Sequence, residues 1–220
     1  MNHTFSRRDI MMLIAILMIL ECNNPHSETQ PLQLLKEIQL PNVSGRIDHI
    51  AFNSEKQIAY VAALGNNSVE VVDLKNGTVL NSIKNLSEPQ GIVFIPGSNS
   101  IFVANGGNGK GLVFDANNFQ QTHSLVIGDD ADNVRYDSAT EKIFVGYGSG
   151  GIAMIDAKTF QLTGNIPLTG HPESFQLSKS ENKIFVNVPD EHEVDVIDLK
   201  TSSVTERWHP QAGSNFPMAI

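Results

Sequence analysis

The 220-residue sequence predicts an all-β fold made of consecutive copies of one four-stranded unit, and three columns of residues carry that reading. Tyr60-Val61, Phe102-Val103, Phe144-Val145 and Phe185-Val186 recur at intervals of 42, 42 and 41 residues. Asp73, Asp115, Asp156 and Asp198 recur at 42, 41 and 42, and Ile50, Ile92, Val134 and Phe175 at 42, 42 and 41. Three independent columns holding one period mark an array of equivalent supersecondary units.

Within each unit the pattern is that of short strands. Ser68-Val-Glu-Val-Val-Asp73 and Glu193-Val-Asp-Val-Ile-Asp198 alternate with the two-residue period that sends side chains to opposite sheet faces. Turn-forming clusters separate the runs: Asn53-Ser-Glu-Lys, Pro96-Gly-Ser-Asn, Asp137-Ser-Ala-Thr and Ser178-Lys-Ser-Glu. In the first unit the strands are expected over 47–52, 58–63, 68–73 and 78–83. The recurring aspartates close the third strand of each unit, where a carboxylate opens a turn by accepting backbone N–H groups. No segment after the first 22 residues keeps a helical period.

A four-stranded unit of this size cannot cover both of its apolar faces alone, so neighbours must stack, and a β-propeller is the expected architecture. The blades span about 45–88, 89–130, 131–171 and 172–213. Recurrent Gly-His and Trp-Asp pairs are missing, and the sole tryptophan is Trp208, which argues against the WD40 variety. The second strands instead read IAYVAA, IFVAN, IFVGY and IFVNV, each followed by a polar loop and a V-x-V-[VI]-D-like strand. Over residues 45–220 this resembles the YVTN-repeat family and its YncE-like extracytoplasmic members.

Leu34-Leu-Lys-Glu-Ile-Gln-Leu40 matches the outer strands Val79–Ile83 and Leu162–Ile166, and is expected to be a lone outer strand of the kind that closes a propeller. Phe216-Pro-Met-Ala-Ile220 aligns with the innermost-strand starts Pro89–Ile92 and Pro172–Phe175, so a fifth blade begins within 214–220. The resemblance implies seven blades in the full-length protein. The propeller of residues 34–220 is therefore expected to be incomplete and the sequence a C-terminally truncated fragment.

The N-terminus differs from the rest. Arg7 and Arg8 precede an uncharged apolar run, Ile10–Leu20, which is too short to cross a bilayer core needing about 20 residues. Residues 1–22 read as a secretory signal and 23–33 as a linker, which places the protein outside the cytoplasm, in the periplasm or cell envelope. Cys22, the only cysteine, stands just past the apolar run, where bacterial lipoproteins carry their lipidated residue. A plain cleaved signal and acylation of Cys22 are both open, and the membrane is expected as a partner only through that anchor. With a net charge of −9 and no Lys/Arg cluster, nucleic acid is not an expected partner.

In a propeller, the loop leading into the innermost strand and the loop between strands two and three reach the same face and ring the central channel. The leading loops here are Gly45–His49, Glu88–Gly91, Asp129–Asn133, Gly170–Ser174 and Ser214–Met218. The second set is Gly65–Asn67, Asn105–Asn108, Gly146–Gly150 and Asn187–Asp190. They differ from blade to blade, as expected when each contributes a different group to a shared site. Candidate ligand-binding residues are Arg46, Asp48, His49, Gln90, Asn105, Asp132, Asn133, Tyr147, His171, Glu173, Asp190 and Asn215. Of these, His49, Asp132, His171 and Glu173 are the candidate metal ligands, since carboxylates with one or two imidazoles suit Ca²⁺, Mn²⁺ or Zn²⁺. A divalent metal is the one cofactor these residues suggest.

The same residue types can also serve loops structurally, by bonding backbone and capping strand ends. Asp129-Asp130-Ala131-Asp132 lacks the glycine and distal glutamate of an EF-hand, and Asn105-Gly-Gly-Asn-Gly-Lys-Gly111 lacks the helix a phosphate loop needs. No serine occupies a nucleophile elbow, and covalent catalysis finds no support. The expected role is a binding or scaffold protein that recognises a polar small molecule or a partner protein at the channel mouth. The alternative is a metal-dependent, lactonase-like hydrolase or a quinoprotein-like dehydrogenase on the same fold, although no Cys-x-x-Cys-His for haem attachment occurs.

Overall fold

In the computed structural model, residues 32–211 together with Phe216, Met218 and Ala219 are described. The expectations for residues 1–22, Cys22 and most of the linker lie outside them, as does Asn215. Among the described residues, sixteen strands form four antiparallel sheets of four, each in simple sequential order. Blade 1 holds β1 (Ile50–Asn53), β2 (Ile58–Ala63), β3 (Ser68–Asp73) and β4 (Thr78–Ile83). Blade 2 holds β5 (Pro89–Ile95), β6 (Ser100–Asn105), β7 (Lys110–Asp115) and β8 (Gln121–Val126). Blade 3 comprises β9 (Val134–Asp137), β10 (Lys142–Tyr147), β11 (Gly151–Asp156) and β12 (Leu162–Pro167). Blade 4 comprises β13 (Ser174–Ser178), β14 (Lys183–Val188), β15 (Glu193–Asp198) and β16 (Ser203–Trp208). This is an all-β chain of four propeller blades, consistent with an incomplete ring.

The repeat extends to backbone detail. Gln57, Asn99, Glu141 and Asn182 each take a left-handed conformation at φ 55°, 48°, 52° and 54°, one residue before the second strand. Three residue types at this one left-handed turn position show that the turn geometry, more than its residue, is what repeats. The fourth strand of each blade also carries a bulge at the same place: Leu80, Thr122, Thr163 and Thr205 are the extra residues opposite the third-strand steps Val71/Val72, Val113/Phe114, Met154/Ile155 and Val196/Ile197. A bulge increases local twist. The recurring aspartates do what their position predicts. Asp115 Oδ1 accepts from Asn117 and Asn118 N–H at 2.7 and 3.2 Å, Asp156 Oδ1 from Lys158 and Thr159 at 2.9 and 2.8 Å, and Asp198 Oδ1 from Lys200 at 2.6 Å.

Packing between blades makes the core. Tyr60 enters a cluster with Ile92, Ile101 and Val103 of blade 2; Phe102 packs with Val134, Ile143 and Val145 of blade 3; Phe144 packs with Phe175, Ile184 and Val186 of blade 4. The aromatic column of the second strands is thus the wedge between successive sheets. Each fully buried ring contributes on the order of 2–3 kcal/mol of transfer free energy. Phe185, the fourth member, is half-buried and rests on Trp208 at 5.4 Å between ring centroids. The innermost strands β1, β5, β9 and β13 neighbour one another in order, and the fourth strands lie mostly exposed outside.

Two terminal expectations come out differently. Residues 34–40 form no strand: a strand needs a hydrogen-bonded partner, and among the described residues no strand pairs with them. Ile38 and Leu40 instead pack on Ala59, Val61 and Val72 of blade 1. At the other end the described residues of 214–220 show no ladder, yet they take up inner-strand contacts. Ser174 Oγ donates to Phe216 O at 2.5 Å and Gln176 Nε2 to Met218 O at 3.0 Å, both across one repeat length of 42 residues. Arg135 Nε makes the analogous contact to Gln176 Oε1 at 3.3 Å between blades 3 and 4.

Candidate ligand site at the channel mouth

The two sets of loops do meet on one face, and backbone hydrogen bonds tie them together. Gly65 N–H donates to Arg46 O at 3.0 Å in blade 1, and Gly106 N–H to Glu88 O at 3.0 Å in blade 2. In blade 3 Gly148 N–H reaches Asp129 O at 2.8 Å, and in blade 4 Glu173 N–H reaches Asn187 O at 3.1 Å. Each leading loop is therefore braced by the neighbouring hairpin, and its side chains project from a fixed backbone.

Blades 1, 3 and 4 bring their loops into contact at this end. His49 Nδ1 lies 2.9 Å from Asp48 Oδ1 and 3.8 Å from Asp132 Oδ1, which is 83 residues further along the chain. Asn133 Nδ2 donates to the backbone carbonyl of Glu173 at 3.2 Å and stands 3.2 Å from His49 Nε2. That carbonyl can only accept, so it fixes which way the Asn133 amide faces. The second Nδ2 proton then meets His49 Nε2 as a lone pair, which leaves the imidazole proton on Nδ1, between the two carboxylates. His49 is held as a hydrogen-bond donor.

A second group lies alongside. Ligand-type atoms of Asp132, His171 and Glu173 lie within 4.8 Å of one another, as do those of Asp48, His49 and Asp132, so Asp132 belongs to both groups. His171 Nε2 is 3.9 Å from Glu173 Oε1, and its Nδ1 is 3.9 Å from Asp130 Oδ2. Blade 2 joins through Gln90, whose Nε2 donates to Asp130 Oδ1 at 3.0 Å. Arg46 pairs with Asp48 at the rim.

Electrostatics single out Asp132. Burial, reinforced by the carboxylates of Asp48, Asp130 and Glu173 and opposed by His49, pushes its pKa up to about 6. The neighbouring His49 imidazole, with help from Arg46, holds Asp48 below the usual carboxylate range despite partial burial. Arg135 is the nearby cation; desolvation pulls its pKa down and Asp132 holds it up, while its guanidinium sits 5.6 Å from the Phe175 ring centroid. Three buried polar atoms at this spot, His49 Nδ1, Asp132 Oδ1 and Asn133 Oδ1, have no hydrogen-bond partner among the described residues. For His49 Nδ1 the nearest carboxylate oxygen is Asp48 Oδ1, at 2.9 Å.

Of the residues singled out in the sequence, Arg46, Asp48, His49, Asp132, Asn133, His171 and Glu173 are brought together, and Gln90 reaches them through Asp130. Asn105 and Tyr147 fall outside the cluster. Asn105 is fully buried, accepts from Ser87 N–H at 3.1 Å and bonds the carbonyls of Val103 and Lys110. Tyr147 packs against the buried core between blades 2 and 3 and donates its hydroxyl to Asn165 at 2.9 Å. Asp190 is exposed in the Pro189–Glu191 turn. The sequence reading missed Asp130 and Arg135. Asp130 stood in a leading loop already rich in acid, whereas Arg135 sits on a strand that gave no sign of facing the site.

No protein-family model matches the sequence, and no curated protein matches it. Among solved structures, hydrazine synthase of Kuenenia stuttgartiensis aligns with a TM-score of 0.67 at 17% identity, over 78% of this chain and 52% of that one. The chain thus spans about half the length of that relative. Solved chains that match number 1391, a breadth expected of a fold that hosts many unrelated functions. What the chain shares with known structures is its architecture, a run of four-stranded antiparallel blades arranged as part of a β-propeller.

Proposed function

We propose that this chain is an extracytoplasmic binding or scaffold protein of the YVTN/YncE-like kind, exported by its N-terminal segment, which recognises a polar ligand at the channel mouth. One observation carries the reading. Loops from blades 1, 3 and 4 enclose Asp132, and polar atoms of Asp132 and Asn133 stay buried there without hydrogen-bond partners among the described residues. Buried polar groups are normally satisfied, and leaving them unpaired costs on the order of 1–3 kcal/mol each. A ligand that bonds them recovers that cost. Asp48, Asp130, Asp132 and Glu173 outnumber Arg46 and Arg135 at the mouth, so the ligand carries positive charge.

The experiment is a thermal-shift screen of cationic and neutral polar compounds: amines, amino acids and sugars. A ligand at 100 times its dissociation constant stabilises by about 2.7 kcal/mol. At least one cationic compound should raise the melting temperature in the parent and fail to do so in Asp132→Asn. A screen with no stabilising compound, or stabilisation that persists in the variant, would sink the reading. The Asp132, His171 and Glu173 grouping favours one second reading, a metal-dependent hydrolase of the lactonase kind. Lactone hydrolysis that requires added divalent metal would support it.

A further inference from the structure

We infer that the mouth holds one first-row divalent cation, on Asp132, His171 and Glu173, with His49 excluded from the coordination sphere. This rests on the reading of the mouth as a ligand site and names the ligand. Asp132 keeps only 9% of its surface exposed, its carboxylate lies within 4.8 Å of ligand-type atoms of His171 and Glu173, and its Oδ1 has no hydrogen-bond donor among the described residues. Asn133, 3% exposed, holds a second unpartnered oxygen beside it. A carboxylate driven this far out of water without a partner is what a cation would satisfy.

The two groups of potential ligands are not equivalent. In the Asp48–His49–Asp132 group, His49 spends its Nε2 lone pair on Asn133 and carries its proton on Nδ1, so it has no lone pair to give a metal. Asp48 is already paired with Arg46. Nothing comparable occupies His171. Its Nε2 lies 3.9 Å from Glu173 Oε1, and two ligands on one ion with bonds of about 2.1 Å lie at most about 4.2 Å apart. The other ring nitrogen, Nδ1, lies 3.9 Å from Asp130 Oδ2, and Asp130 is itself held by Gln90. Asp130 thus stands where the outer-sphere carboxylate of a ligating imidazole would sit. An imidazole with two carboxylates suits Mn²⁺ or Zn²⁺ better than Ca²⁺, which prefers an all-oxygen shell.

The test is a Mn²⁺ titration of the whole chain, followed by loss of the free-ion paramagnetic resonance signal. His171→Ala and Glu173→Gln should each weaken binding at least about 100-fold, and Asp130→Asn by about 10-fold, as for outer-sphere partners. His123→Ala, on exposed β8, should leave it unchanged. In the unmutated chain, sub-stoichiometric Mn²⁺ should broaden the His171 ring resonances before those of His123, His192 and His209. Mn²⁺ that does not bind below millimolar concentration, or binds equally to His171→Ala, would overturn the assignment. If Mn²⁺ fails while a cationic compound still stabilises the parent and not Asp132→Asn, the cation assignment falls and the ligand-site reading stands. If neither binds, both fall.

Discussion

Replacing Gly91 by alanine should damage blade packing and the mouth together, because of what lies next to that α-carbon. A Cβ built on Gly91 comes 1.8 Å from the carbonyl oxygen of Asp132, 2.5 Å from Val134 Cγ2 and 2.9 Å from the Asp132 carbonyl carbon. Ordinary contact begins near 3.4 Å, so the backbone of the loop leading into β9 must retreat from β5 by about 1.5 Å. No flexible side chain can absorb that movement. Overpacking costs typically 1–3 kcal/mol, and a clash this deep against backbone belongs at or above the top of that range, about 3 kcal/mol. With a urea slope of about 2 kcal/mol/M, the unfolding midpoint should drop by about 1.5 M. Gly97 is the control. It lies in the Pro96–Ser98 turn with nothing within 4 Å of its added Cβ, and Gly97→Ala should change stability by less than about 0.5 kcal/mol. Equal midpoints for the two variants would refute the claim that β5 of blade 2 touches the leading loop of blade 3 at Asp132.

Two further outcomes follow from the core and from a buried charge. Phe102 is fully buried between blades 2 and 3, and Phe102→Ala should cost about 3–5 kcal/mol in urea unfolding, whereas Phe185→Ala, at a half-buried position, should cost clearly less; similar losses would contradict the wedge role of the column. Asp195 is fully buried at the middle of β15; burial raises its pKa, the Arg207 guanidinium 3.4 Å away opposes that, and Glu193 adds to it. Across the window from the ordinary carboxylate value up to the raised one, the folded chain holds a proton that the unfolded chain has released, so stability falls as pH rises. Asp195→Asn removes this contribution, so its stability relative to the parent should improve between pH 4 and pH 7 in paired melts. A difference that does not change with pH, or that worsens, would show the Arg207 pairing to outweigh burial.

The blade boundaries were legible because the third strand of each blade announces itself through an apolar run closed by an aspartate, at one period. For β2, β3 and β4 the expected and observed limits coincide, and only β1 differs, running Ile50–Asn53 in place of 47–52. The 34–40 segment shows where that logic stops, since strand-like composition creates no strand without an edge to pair with. The convergence of Asp48, His49, Asp132, His171 and Glu173 was legible from fold logic, which places leading loops on one face. Asn105 and Tyr147 obeyed the same placement but turned their side chains into the hairpin and the blade interface, where hydrogen bonds and apolar contacts were available. Orientation within a loop is a packing outcome, and spacing along the chain does not encode it. The same holds for the His49 tautomer, which depends on a carbonyl 124 residues away.

The central claim is that non-identical loops of separate blades meet at one opening, and a double-mutant cycle between His49 and Asn133 measures it directly. The two side chains stand 3.2 Å apart across 84 residues of sequence. Urea unfolding of His49→Ala, Asn133→Ala and the double variant should give a coupling of about 0.5–1.5 kcal/mol, the worth of one such hydrogen bond. Losses that simply add would mean that the loops of blades 1 and 3 do not touch.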